Sequence, residues 1–366
     1  YGNEEDSDED DEEEFIFPHH GVLIPIWRQF ADALQVQHFL SIETFSIRNI
    51  QLHPVILDIL APALRMKLVG GFDLGGNDLV DTGAGVDFFF QVTSNNPHIK
   101  RLSWEENSIE NMNDVGHFAD AVNCVRSLEG IGFRESSGGD MNGYDVLSSV
   151  ISRNQRISLI DMSSCNIRTM GEAHVSDFLA TNPPLTNLTL AHNHLTDEDA
   201  LLIAGSLSQN TNLQCLELDG NEITDVGNGA LANAVFDLST LNSINDCNHT
   251  CFVSVTGLNS NFNNHKQITA HENKHRKLYC ALSIRHRDKT NIRCLDAELG
   301  DDSLKLAHLV LGRVNSVATP RNTFLVGDGD GGPLLLSIMF EILRGWNMPE
   351  LFEQSVAHLP QQLIKM

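Results

Sequence analysis

Residues 185–212 read "LTNLTLAHNHLTDEDALLIAGSLSQNTN", and residues 213–240 continue directly with "LQCLELDGNEITDVGNGALANAVFDLST". Laid over one another, the two stretches match at a 28-residue period, and each opens L-x-x-L-x-L-x-x-N-x-L. The apolar residues of that opening alternate, as a strand with one buried face requires. The second half of each unit changes period: Ala200, Ile203, Ala204 and Leu207 fall on one face at helical spacing. Each unit is therefore a short strand, a turn and a helix. One such unit cannot bury its apolar side alone, so the units must stack.

The register runs along most of the chain. Upstream it takes in Ile157, Ile160, Met162, Cys165 and Ile167. Before these come Leu128, Ile131 and Phe133, with Ser136 in the Asn position. Then come Ile99, Leu102, Trp104, Asn107 and Ile109, and before them Val69, Phe72, Leu74, Asn77 and Leu79. A weaker first unit fits Ile42, Phe45 and Ile47, and Leu241 with Ile244 opens a degenerate eighth; successive starts lie 27 to 30 residues apart. The pattern is the leucine-rich repeat signature. It predicts an α/β fold, a curved leucine-rich repeat solenoid of about eight strand–helix repeats with helical N- and C-terminal caps. Asn in the ninth position can satisfy the turning backbone with its donors and its acceptor, a task Cys165 performs less well. The domain reading is an acidic disordered tail over residues 1–14, a helical cap over 15–41, the solenoid over 42–264 and a helical extension over 265–366.

Charge is unevenly spread. The net charge is -25, and residues 1–14, "YGNEEDSDEDDEEE", hold ten acids and no base. Such a run repels itself and has nothing to bury. A net acidic surface argues against general nucleic-acid binding. The longest apolar run, "PLLLSIMFEIL", is too short to span a bilayer and contains Glu341. Seven scattered cysteines without a C-x-x-C suit a reducing compartment, cytoplasmic or nuclear, better than a disulfide framework. The sequons at Asn187 and Asn248 fall inside the sheet region.

Several strings resemble catalytic motifs. "LVDTGA" at residues 79–84 reads like an aspartic protease loop, yet Asp81 falls in the slot that Asp197 and Asp225 take in later units. That slot predicts a helix cap or first-turn acid. "HENKH" at residues 271–275 reads H-E-x-x-H, the pattern of a zinc hydrolase helix using His271 and His275, with Glu298 at a usable distance for a third ligand. Lys274 and Arg276 are awkward beside a buried zinc, so the expectation is the basic first turn of a helix over residues 273–284 that buries Leu278, Tyr279 and Leu282. "VGDGDGGP" from Val326 lacks the Lys-Ser/Thr of a P-loop and the closing Glu of a calcium loop, and reads as a linker. Between residues 265 and 293 stand eight Lys/Arg and two acids, a patch suited to an acidic partner or to the chain's own acidic tail.

Over residues 42–251 the repeat resembles the ribonuclease-inhibitor type of leucine-rich repeat, a family that includes the inhibitor, the GTPase activator for Ran and the recognition regions of innate immune receptors. The flanking strings "WRQFADALQ" at Trp27, "LNSINDCNHTC" at Leu241 and "HRKLYCAL" at His275 look closer to a group of microalgal leucine-rich repeat proteins, which implies no known activity. The Ran activator joins an acidic segment to such repeats at its C-terminus, whereas here the segment is N-terminal, and the activator's Arg loop has no clear counterpart. The dense cysteines and the aromatic binding face of the inhibitor are also absent.

The expected function is non-catalytic protein recognition or scaffolding, with no cofactor and no metal. The alternatives are regulation of a small GTPase in the manner of the Ran activator and, more remotely, zinc hydrolysis. The strand positions facing solvent carry Lys100, Arg101, Glu105, Arg134, Glu135, Asp161, Thr189, His192, Glu217 and Asp219. This set turns acidic toward the later units, so the expected partner is a protein with a basic patch.

Overall fold

The computed structural model describes residues 16–36, 41–65, 68–96, 98–138, 141–154, 156–256 and 263–288. The acidic segment 1–14, the Val326 string, Glu298 and all of the C-terminal extension past residue 288 lie outside the described residues. A 3-10 turn, Gly21–Leu23, leads into α1 (Ile24–Gln35). Strand and helix then alternate: β1 (Ser41–Arg48), α2 (Pro54–Arg65), β2 (Leu68–Gly75), α3 (Thr82–Asn95), β3 (Arg101–Glu105), α4 (Met112–Cys124), β4 (Gly130–Arg134), α5 (Tyr144–Arg153), β5 (Leu159–Asp161), α6 (His174–Ala180), β6 (Asn187–Thr189), α7 (Asp197–Leu207), β7 (Cys215–Glu217) and α8 (Asp225–Phe236). A short α9 (Leu241–Asp246) precedes β8 (Phe252–Ser254) and α10 (Ala270–Arg287). The eight strands stand in one sheet in chain order.

The chain groups into two compact units, one comprising the residues up to Phe178 with Pro183–Leu195 and Glu217–Glu222, the other Leu179–Asn182, Thr196–Leu216 and the residues from Ile223 onward. In the first, β1 to β6 pair in parallel, and the register aligns equivalent repeat positions: Phe45 with Phe72, Phe72 with Leu102, Leu102 with Ile131, Ile131 with Ile160 and Ile160 with Leu188. A one-residue slip would turn every apolar side chain to the wrong face, so the leucine pattern fixes this alignment. Aromatic rings fill the space between sheet and helices. Phe72 lies 5.4 Å from Phe89, Phe89 5.1 Å from Phe118, and Phe118 5.0 Å from Phe133, with Trp104 wedged against Phe89 and Phe118. Phe88, Phe89 and Phe118 come from the helices, outside the strand signature, and all three are buried.

Two rows of polar side chains inside the fold hold successive turns of chain together. Asn77 donates to the Ile47 carbonyl at 2.9 Å, Asn107 to that of Leu74 at 2.9 Å, and Asn193 to that of Met162 at 2.9 Å. Ser136 donates to the Trp104 carbonyl at 3.1 Å, and the Cys165 thiol lies 2.6 Å from that of Phe133. Burial pushes the Cys165 thiol up to about 12, so it stays protonated and serves as a donor. The second row runs along the helix ends. Asn96 donates to the carbonyls of Leu64 and Val92, and in the other unit Asn210 donates to Leu179 and Asn248 to Leu207 and Asn210. Asn248 is buried in this role, while Asn187 begins β6.

The eighth strand is displaced from its expected place. Leu241 and Ile244 lie on α9, because the Thr240 hydroxyl accepts from Ser243 N at 2.8 Å and starts a helix there. The spacing L-x-x-I serves one face of a helix as well as the opening of a strand. Instead, Phe252 N donates to the Gln214 carbonyl at 2.8 Å, and Val253 and Val255 are the buried residues.

Candidate functional site

All ten residues expected to face a partner belong to the first unit. Lys100 stands just before β3 and the others are set on the strands or on the turns after them, and the turn has a regular conformation. The eighth repeat position has positive φ in unit after unit: Asn49 at 57°, Gly76 at 58°, Glu106 at 53°, Glu135 at 50°, Ser164 at 54°, His192 at 55° and Gly220 at 70°. This is the left-handed region, which glycine enters freely and which disfavours other residues. Only two of these seven positions carry glycine.

At the fifth and seventh repeat positions, charges interlock across five strands. Arg48 at the end of β1 donates to Asp73 on β2 at 2.8 and 3.0 Å and to Glu105 on β3 at 2.9 Å. Glu105 Oε2 also lies 2.7 Å from Arg134 on β4, and Arg134 reaches Asp161 on β5 at 3.6 Å. Ser103 donates to Glu105 at 2.7 Å. Burial pushes the Glu105 carboxyl up, but the hydrogen bonds from Ser103 and Arg134 and the two guanidinium charges outweigh it, and the group sits below the usual glutamate range. The carboxylates in turn hold Arg48 and Arg134 above the ordinary arginine value, through Asp73 and Glu105 respectively.

The expected residues therefore divide. Glu105, Arg134 and Asp161 belong to one network, together with Arg48, Asp73 and Ser103. The sequence reading missed these last three, although the register places them at the fifth and seventh positions of their units; only Arg48 lies in the weak first unit. Lys100 pairs with Glu129 at 2.7 Å, and Arg101 starts β3 with its side chain exposed. Thr189 donates to Glu217 at 3.3 Å. Glu135 and His192 stand in the left-handed row, and the His192 backbone N donates to the Asp219 carbonyl at 2.7 Å. Beyond the ends of β2 and β3 opens a cavity of about 380 Å³, with Asp78, Glu106 and Glu110 among its lining residues.

The protease-like strings have local roles. Asp81 is the N-cap of α3 and accepts from Ala84 N at 3.1 Å. Asp197 is the first residue of α7, yet its carboxylate accepts from Thr224 N, the Thr224 hydroxyl and Gly227 N at 2.6 to 2.9 Å, so it caps the next helix, α8. In "HENKH", Glu272 accepts from Thr269 N and the Thr269 hydroxyl, both at 2.8 Å, and Glu272 N donates back to that hydroxyl. This is a capping box at the start of α10. It starts the helix at Ala270, earlier than expected, and carries it to Arg287. Leu278 is buried as expected, but so is Lys277. The side chains of Tyr279 and Leu282 lie outside the described residues. Among the described residues no three of His, Cys, Asp and Glu are grouped to hold a metal ion.

No protein-family model matches the chain, and no curated protein matches it. Among solved structures, a structural-genomics protein from Bacteroides fragilis is similar at a TM-score of 0.34 and 13% identity over 55% of this chain and 66% of that one. That likeness is too slight to assign a fold, which rests on the strands and repeats of this chain itself. No helix among the described residues is long and apolar enough to cross a membrane.

Proposed function

We propose that this chain is a leucine-rich repeat protein of the ribonuclease-inhibitor type, closed by terminal helices, that binds a protein partner through the exposed face of its strands and the turns after them, without catalysis. The observation that carries this reading is the left-handed row. Glycine would satisfy the eighth position at lower conformational cost, as it does at Gly76 and Gly220, yet Asn49, Glu106, Glu135, Ser164 and His192 stand there. Side chains kept in a strained backbone region at the edge of an open surface are a mark of function.

The charge network indicates the partner's sign. Arg48 and Arg134 are already engaged by Asp73, Glu105 and Asp161. The turn row and the adjoining cavity carry the acids Glu106, Glu135, Asp78 and Glu110, of which Asp78 also accepts from Gln51 at 2.6 Å. A partner presenting lysine or arginine complements this surface. The scattered cysteines favour the cytoplasm or nucleus as its setting.

The test is affinity capture with the full chain and with Glu135→Lys/Glu106→Lys, and then titration of the purified captured protein. Loss of at least tenfold in affinity, about 1.4 kcal/mol, supports the reading. A captured protein that binds both forms equally overturns it.

A further inference from the structure

Helix α1 presents a row of apolar side chains to solvent. In a stacked repeat the inner helices bury both flanks against neighbours, and an end helix needs a polar outer face. Here α2 packs against both α1 and α3, while α1 packs against α2 on one flank. The buried residue of α1 is Ala31, with Trp27 and Leu34 half-buried near it. Val22, in the 3-10 turn that leads into the helix, Ile26 and Phe30 follow at four-residue spacing and so form one row on another side. They are 79%, 59% and 42% exposed, and Leu23 beside them is 37% exposed. Phe30 anchors the row to the fold: its ring stacks on Phe45 of β1 at 6.5 Å and meets the Trp27 ring edge-on at 6.2 Å. Together the four side chains expose roughly 400 Å² of apolar surface, the scale of patch that marks an interaction site.

We propose that this row is an interface between two copies of this chain, whose α1 helices pack antiparallel about a two-fold axis at Ile26. The row is self-complementary, as an interface between identical surfaces requires. Residues equally far from Ile26 in sequence face each other, so Ile26 of one copy meets Ile26 of the other and Val22 meets Phe30. The flanking charges fit the same axis. Asp32 falls opposite His20 and Arg28 opposite Ile24, so no charge faces its like. Antiparallel packing also keeps the acidic segments apart. Each copy carries ten acids in residues 1–14, just ahead of this helix. From His20 to Asp32 a helix rises about 18 Å, roughly twice the Debye length at physiological salt, whereas parallel packing would set the two segments side by side. A lipid surface fits less well: an interfacial helix backs its apolar row with lysine and arginine, and in α1 Arg28 is the one basic residue. The patch is about half of the roughly 800 Å² per partner of a standard interface, so the dimer is weak and reversible.

The experiment is sedimentation equilibrium of the full chain over about 1 to 200 μM. The expected result is a reversible monomer–dimer equilibrium that Ile26→Glu weakens about tenfold or more, because it sets two like charges against each other at the axis. Ile26 is exposed, so circular dichroism and the thermal midpoint of this variant should match those of the natural chain. Cysteine cross-linking reads the register separately, with the natural chain as the blank for its seven cysteines. Ile26→Cys should form a disulfide between copies on mild oxidation, whereas Asp32→Cys, about 18 Å from its counterpart in the other copy, should not. This pair adds no charge at the axis and decides the matter if Ile26→Glu unfolds. A chain that stays monomeric throughout, a dimer that a folded Ile26→Glu leaves unchanged, or an Asp32→Cys variant that cross-links as fast as Ile26→Cys overturns the proposal. So does a monomer that binds phosphatidylcholine vesicles and loses that binding with Ile26→Glu, a result that assigns the row to a lipid surface.

Discussion

Glu105 on β3 holds Arg134 on the neighbouring strand at 2.7 Å, and the same carboxylate oxygen holds Arg48 at 2.9 Å from the other side. A buried carboxylate is thus shared between two guanidinium groups that would otherwise repel. Its folded-state value is lowered, so its stabilisation is full above the ordinary glutamate value of 4.5 and is lost as pH falls through the folded value. Glu105→Gln should lower stability at pH 7 by about 1–3 kcal/mol. Urea midpoints measured from pH 7 to pH 3 should show the gap between natural and variant chains closing below pH 4.5. A gap of constant size would show that the charge contributes nothing.

The left-handed row predicts a trade between stability and binding. At Glu135, φ is 50°, where glycine is at ease. Glu135→Gly should leave stability unchanged or raise it by up to about 1 kcal/mol, since released strain offsets the extra entropy of the unfolded chain. The same change should weaken the captured partner. A loss of stability greater than about 1 kcal/mol by thermal unfolding would mean that the side chain serves the fold instead.

Asn193 accepts from the backbone N of Cys165 and Ile167 and donates to the carbonyls of Met162, Leu190 and Ala191, all at 2.9 to 3.1 Å. Asn193→Ala strips buried backbone groups of their partner and should cost about 2–4 kcal/mol. Asn193→Asp keeps the acceptors but places a charge among carbonyls, and it should recover little. Denaturant unfolding of the three chains separates these outcomes.

Glu272 distinguishes a helix cap from a zinc motif. Glu272→Ala should shorten α10 and cost about 1 kcal/mol, with no change in metal content by elemental analysis. His271→Ala, at an exposed position, should change neither stability nor metal content. Stoichiometric zinc that disappears with His271→Ala would replace the capping role with a catalytic one.

Burial brings Lys277 down to about 7, below its ordinary 10.5. The unfolded chain then holds a proton that the folded chain gives up, so stability rises with pH above 7 by at most about 1.4 kcal/mol per unit. The neighbouring thiols Cys247, Cys251 and Cys280 are raised by burial and act in the opposite direction above about pH 8.5. Lys274, Arg276 and the lowered His249 also surround the site: Lys274 is lowered in the same direction as Lys277, and His249, neutral in the folded chain, adds a small rise just above pH 7 as its unfolded counterpart with an ordinary value of 6.5 loses its last protons. Thermal unfolding between pH 7 and 8.5 should therefore show a rising midpoint in the natural chain and a flatter one in Lys277→Met. Identical slopes would assign the effect elsewhere.

Residue spacing was enough to establish the alternation of strand and helix, the inward-facing residues Leu185, Leu188, Leu190 and Leu195, and the capping role of Asp81. Each of these rests on periodicity and local hydrogen bonding, which are properties of neighbouring residues. The assignment of Leu241 and Ile244 to a helix needed the folded chain, since their spacing fits both states and the Thr240 cap settles it. So did the joining of Arg48, Asp73, Glu105 and Arg134 into one network, and the burial of Lys277. Those residues lie 25 to 57 positions apart in the first case, and in the second the lysine meets Asn248 and His249 across 28 or 29. Such contacts depend on how far apart successive turns of chain are stacked and on what covers them, and no pattern within a single repeat records either.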